Sequence, residues 1–114
     1  MQFEYKGATI TLHEPTNRRR ELSRKVAQKL SDQDLSPTTR TEFSTIVAHT
    51  KSVENGWMPP NPHASKEDLI EGLDYWLDHI ETELTDKWVT AIFNPNTDPV
   101  TSPNALPDDS DPNS

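Results

Sequence analysis

Over residues 1–12, apolar and polar positions alternate about a central Lys6-Gly7. A two-residue turn there opposes Tyr5 to Ala8, Phe3 to Ile10 and Met1 to Leu12, all apolar and all on one face. Glu4–Thr9 and Gln2–Thr11 fall on the other face and are polar. Turn position and alternation agree, and that agreement sets the register of a β-hairpin. A type I′ turn prefers Asn or Asp where Lys6 stands, so a one-residue bulge is the competing geometry. A lone hairpin is marginal in water, so its apolar face must rest on helices.

The period then changes. After the breaker His13-Glu14-Pro15, Thr16 and Asn17 are cap candidates for a helix over about 17–31. Its apolar stripe, Leu22, Val26 and Leu30, is narrow, and its polar face holds Arg18, Arg19, Arg20, Arg24, Lys25 and Lys29. Ser36-Pro37 starts a second helix, running to about Val53, with Phe43, Ile46, Val47, Thr50 and Val53 at helical spacing. Asn55-Gly56 is its stop. The prolines of Trp57-Met58-Pro59-Pro60-Asn61-Pro62 predict a stiff, extended connector. Ser65-Lys66-Glu67-Asp68 resembles a capping box for a third helix over roughly 66–93. Leu69, Ile70, Leu73, Trp76, Leu77, Ile80, Leu84, Trp88 and Ala91 lie within an arc of about 120°, with Ile92 and Phe93 closing the pattern. Glu67, Glu71, Asp74, Asp78 and Glu81 lie opposite. Unbroken, this helix spans ~40 Å, and that length invites a break near Thr85. The expected fold is α+β: one hairpin on about three helices, the third longest and most central.

Composition divides the chain. Of 114 residues, 31% are apolar, against roughly 45–50% in a compact domain. Five of the ten prolines lie at or beyond Pro95, and from Asn94 onward the apolar side chains are Val100, Ala105 and Leu106. Such a segment cannot bury enough surface to offset its ordering entropy. The expected division is a folded domain over 1–93 and a disordered acidic tail over 94–114. The net charge of -8 is also uneven. Residues 1–53 carry 9 basic and 6 acidic groups, and residues 54–114 carry 2 basic and 13 acidic groups.

Little catalytic chemistry is legible. There is no Cys, hence no disulfide framework and no thiolate site. His13, His49, His63 and His79 show no metal-binding spacing and read as scattered surface histidines. No nucleophile motif and no Gly-rich phosphate loop occur. Carboxylates on a helix face are normally a solvated face, so no enzyme, metal or cofactor is expected. The basic first helix with the second has helix-turn-helix proportions, but the second would offer only Arg40 and Lys51 to a groove. No nucleic-acid partner is expected, and no apolar run approaches a membrane span. The expected setting is cytoplasmic. Trp76 and Trp88 read as core. Trp57-Met58 covers the hairpin or forms part of an exposed binding patch, and Tyr75 falls off the apolar arc as a surface contact.

The order of elements resembles a family. An FEYKGATITL hairpin leads into NRRRELSRKV, then TEFSTIVAHTKSV, the GWMPPNP break and SKEDLIEGLDYWLDHIETELTDKWVTAI, with a Pro/Asp-rich tail. Over about residues 2–93 this is similar, in layout, size and acidity, to the tail assembly chaperones of long-tailed bacteriophages. The resemblance implies a non-enzymatic role in the host cytoplasm. Such a protein coats the tape-measure protein, keeps it soluble during tail morphogenesis, and contacts tail tube subunits through a longer frameshifted product. Self-association as a homo-oligomer is compatible with it. The partner-binding candidates are apolar residues expected to be incompletely covered: Leu22, Val26, Trp57, Met58 and Tyr75. Two other readings stay open. One is an acidic inhibitor or DNA mimic that binds a basic nucleic-acid-binding protein, and the other is a small virion neck or connector protein.

Overall fold

A computed structural model describes residues 1–94. The tail expected over 94–114 lies, beyond Asn94, outside the described residues. Strands β1 (Gln2–Tyr5) and β2 (Ala8–Leu12) pair antiparallel in the expected register, Phe3 opposite Ile10 and Tyr5 opposite Ala8. The Leu12 amide closes the ladder on the Met1 carbonyl at 2.7 Å. Lys6 and Gly7 take φ of 47° and 87°, the two left-handed residues of a tight primed turn, with no bulge between them.

The hairpin is one strand short of the sheet. Helix α1 (Asn17–Lys29) follows the expected span, capped by Thr16. Helix α2 (Pro37–His49) begins at the Ser36 cap but stops four residues early, and β3 (Thr50–Glu54) pairs antiparallel with β2. The sheet order is β1-β2-β3. The helical reading of Thr50 and Val53 is therefore corrected. Val53 lies opposite Ile10 and Thr50 opposite Leu12, with a register shift at Thr11/Leu12. The end of α2 explains the change. The Thr50 hydroxyl donates to the Ile46 carbonyl at 2.6 Å, the Arg19 guanidinium to Ala48, and the His13 amide to His49. The Ile46 carbonyl thus takes the Thr50 amide and hydroxyl together, the Ala48 and His49 carbonyls that the helix leaves free are met by Arg19 and His13, and the chain can leave as a strand.

The long third helix is two. Helix α3 (Lys66–His79) and helix α4 (Thr82–Phe93) meet at Ile80-Glu81, both with extended backbone. The break falls four residues before the expected Thr85. Thr85 sits instead in α4, where its hydroxyl accepts the Trp76 indole N–H across the joint at 3.0 Å. Splitting the helix ends the single apolar arc, and Leu77 and Phe93 emerge 47% and 61% exposed.

The most central helix is α2, buried continuously from Phe43 to Thr50. Around it pack Ile10 and Leu12 of the sheet, Val26 and Leu30 from the α1 end, Leu69, Leu73 and Trp76 of α3, and Trp88 and Ile92 of α4. Trp88 donates to the Thr50 hydroxyl at 2.9 Å, so each core indole has a threonine partner. The Ser44 hydroxyl is buried with no hydrogen-bond partner among the described residues. Arg40 closes the α1–α2 turn by donating to the carbonyls of Leu30, Gln33 and Leu35. Arg40 is therefore committed within the fold, and the C-terminal half of α2 faces the core.

Candidate functional site: an aromatic strip and a basic cleft

The proline connector reaches α3 at one point. A Cβ on Gly72 would stand 2.7 Å from the Pro60 ring, so glycine there lets the connector lie directly on the helix. Pro59 is buried. Held this way, Trp57 stacks on Tyr75, one turn beyond Gly72, with centroids 5.8 Å apart and planes 15° from parallel. Tyr75 meets His79 at 4.6 Å. On its inner side Trp57 meets Trp88 edge-on at 6.2 Å, and Trp88 meets Phe3 at 6.3 Å. A line of aromatic rings thus runs from under the hairpin to the surface. It emerges at Tyr75, 46% exposed, and Met58, next to Trp57 in the chain, is equally exposed. Glu71, Asp74 and Asp78 are exposed on the same helix.

Of the five candidates, Trp57 and Tyr75 belong to this strip, and Met58 is exposed next to Trp57 in the chain. Trp57 is half-buried, packing on the core and stacking on Tyr75. Val26 is corrected: it is fully buried in the core and has nothing to offer a partner. Leu22 is half-buried on α1, which packs on α2, so the five residues do not form one surface.

The acidic ridge is also shorter than expected. Glu67, Glu71, Asp74 and Asp78 stay on α3, but Glu81 lies in the joint. Its carboxylate accepts from the Tyr5 hydroxyl at 2.7 Å and from the Lys6 ammonium at 3.0 Å. The hairpin turn is thereby fastened to the α3–α4 joint. The Tyr5 hydrogen bond, then Lys6, lowers the Glu81 pKa, while Glu81 raises those of Tyr5 and Lys6. This carboxylate is part of the fold rather than of a free ridge.

A second feature lies where α1 begins. An open cleft of about 590 Å³ is lined by Thr11, His13, Thr16, Arg18, Arg19 and Lys51, among others. It shares Met1, Leu12, His13 and Glu14 with a more enclosed chamber of about 120 Å³, whose walls include His49, Ala91 and Ile92. The scattered-surface reading of the histidines fails here. His49 is 4% exposed and His13 half-buried, and both line the chamber. Since the Thr45 carbonyl can only accept, His49 Nδ1 is the donor at 2.9 Å and Nε2 is left as an acceptor. Burial first, and Arg19 beside it, push the pKa of both histidines down. Sequence reasoning missed this cleft. The available signal was Arg18-Arg19-Arg20 in the first turn of a helix with no acidic residue there.

Among the described residues, no group of three or more His, Asp or Glu is placed to hold a metal ion. No helix among them is long and apolar enough to cross a membrane. Comparison with protein-family models, with curated proteins and with solved structures finds no match to this chain.

Proposed function

We propose that this chain is a non-enzymatic binding protein of the phage tail assembly chaperone type, which holds an amphipathic helix of the tape-measure protein on its aromatic strip. The observation that carries the reading is the Trp57–Tyr75 stack, exposed on one side and anchored through Trp88 on the other. An apolar surface on a rigid support binds without first ordering its own side chains. Met58, next to Trp57 in the chain, adds exposed apolar surface, and Asp74 and Asp78 flank Tyr75 on α3 with negative charge. A helix with an apolar stripe flanked by Lys or Arg is the complementary ligand. The acidic balance of the chain also opposes aggregation of a loaded complex.

The test is co-expression with the product of the very long open reading frame that this reading requires beside the gene. Met58→Asp and Tyr75→Asp are expected to abolish co-purification while each variant still unfolds in one cooperative transition. Co-purification unaffected by both substitutions would remove the strip from the interface. A gene that does not neighbour a very long open reading frame would remove the tail-assembly assignment. Glu67, Glu71, Asp74 and Asp78, spaced by three and four on one exposed helix face, favour a second reading, an acidic inhibitor of a basic nucleic-acid-binding protein. That reading requires binding that weakens steeply with salt and ignores Tyr75.

A further inference from the structure

The cleft at the start of α1 gathers positive charge that the described residues do not neutralise. Arg18, Arg19 and Lys51 line it, and none of them is in an ion pair among those residues. Glu14 lines it as well, without pairing to them. The positive end of α1 adds to the same field, with the Asn17 and Arg18 amides ahead of the first helical hydrogen bond. His49, buried at the enclosed end, presents Nε2 as an acceptor. An occupant should therefore bring several negative charges and some N–H donors, which describes an acidic peptide better than a simple anion.

The chain supplies one nearby. Ala91 and Ile92 form part of the chamber wall, and α4 ends at Phe93. The last turn of α4 thus borders the chamber that shares Met1, Leu12, His13 and Glu14 with the cleft. Residues 95–114 follow, with Asp98, Asp108, Asp109 and Asp111 and no Lys or Arg. At ~3.3 Å per residue, Asp98 can reach ~13 Å from Asn94, and Asp108 to Asp111 up to ~55 Å. The reach of Asp108, Asp109 and Asp111 exceeds the longest dimension of the protein, 48 Å, or comes close to it, so chain length does not keep them from the cleft. We propose that the basic cleft is a docking site for the chain's own acidic C-terminal segment, whose aspartates sit against Arg18, Arg19 and Lys51. The association is ionic, since the segment has too few apolar side chains to fold by burial.

The chain lacks cysteine, so Ser110→Cys gives the full-length protein a single thiol for a nitroxide label. At ~0.01 M salt the backbone amides of His13, Arg18, Arg19 and Lys51 should lose about half their NMR intensity. At ~1 M salt the signals should recover, because the screening length falls from ~30 Å to ~3 Å. Arg18→Glu with Lys51→Glu, both exposed, should abolish the broadening and keep a dispersed spectrum. No broadening at low salt, or broadening that ignores the double variant, would overturn the proposal. So would broadening centred on Trp57 and Tyr75. Broadening transferred fully from a labelled chain to a second, isotope-labelled chain would assign the cleft to another copy and overturn docking in cis.

Discussion

Helices α1 and α3 begin alike and then diverge. Each is capped by a side-chain oxygen: Thr16 accepts from the Arg19 amide, and Ser65 from the Asp68 amide. Helix α3 then places Glu67 and Asp68 in its first turn, where the helix dipole favours negative charge. Helix α1 places arginines there and no acid. Local stability is served at α3 and sacrificed at α1. The surfaces beside them differ in the same way. The aromatic strip on α3 is built by close contact, Gly72 against Pro60 and Trp57 against Tyr75. The cleft at α1 is built by charge left unpaired. A site that breaks a local rule without gain to the fold is where function is best sought.

The largest effect is expected where contact is tightest. Gly72→Ala gains helix propensity worth about 1 kcal/mol but drives a methyl into the Pro60 ring. The ring is rigid, so the connector must lift. A net loss of about 1–2 kcal/mol in denaturant unfolding is expected, with a change in Trp57 fluorescence. Unchanged stability would mean that the connector does not rest on α3.

The cleft should answer to pH instead. Burial lowers the pKa of His49 and His13 from the ordinary 6.5, so the unfolded chain binds their protons more tightly. Their contribution to stability is then complete above pH 6.5 and is lost as pH falls through their lower folded values. Glu81 and Asp32 also have lowered values, but their losses begin only below 4.5 and 3.8. The two ranges are therefore separable. His49→Leu should flatten the upper range and leave the lower one. A slope between pH 7 and 5 that survives His49→Leu together with His13→Leu would place the titrating group elsewhere.

At the strip, a double-mutant cycle of Trp57→Ala and Tyr75→Ala should give a coupling of about 1 kcal/mol from the stacked rings. A coupling near zero would mean that the two residues share a surface without supporting each other.

These contrasts also mark how far the sequence could be read. The hairpin register was legible because a period of two and a turn point to the same pairing, and the observed pairs repeat it. The caps at Ser36 and Ser65 were legible for the same local reason. The third strand was not, because Thr50 and Val53 are three residues apart and fit a helix as well as a sheet edge. What decides is the distant partner, Ile10 and Leu12 on β2. The break at Ile80-Glu81 has no Pro or Gly to announce it, and its fixing contacts come from Tyr5 and Lys6, far away in sequence. The exposure of Tyr75 was legible because it left the apolar arc. Val26 was misjudged because a narrow stripe suggested a solvated helix, whereas α2 covers that stripe.

The smallest effect separates the two helices most directly. Arg18 is exposed and sits in the first turn of α1, against the dipole. Arg18→Glu should stabilise the fold by about 0.5 kcal/mol at low salt, and the gain should fade as salt rises. Glu67→Lys at the matching position of α3 should lose a similar amount. Opposite signs at matching positions would show that α1 carries its first-turn charge at a cost to the fold and α3 does not. Destabilisation by Arg18→Glu would show instead that Arg18 already contributes to the native state, and the cleft would lose its standing as charge held in reserve.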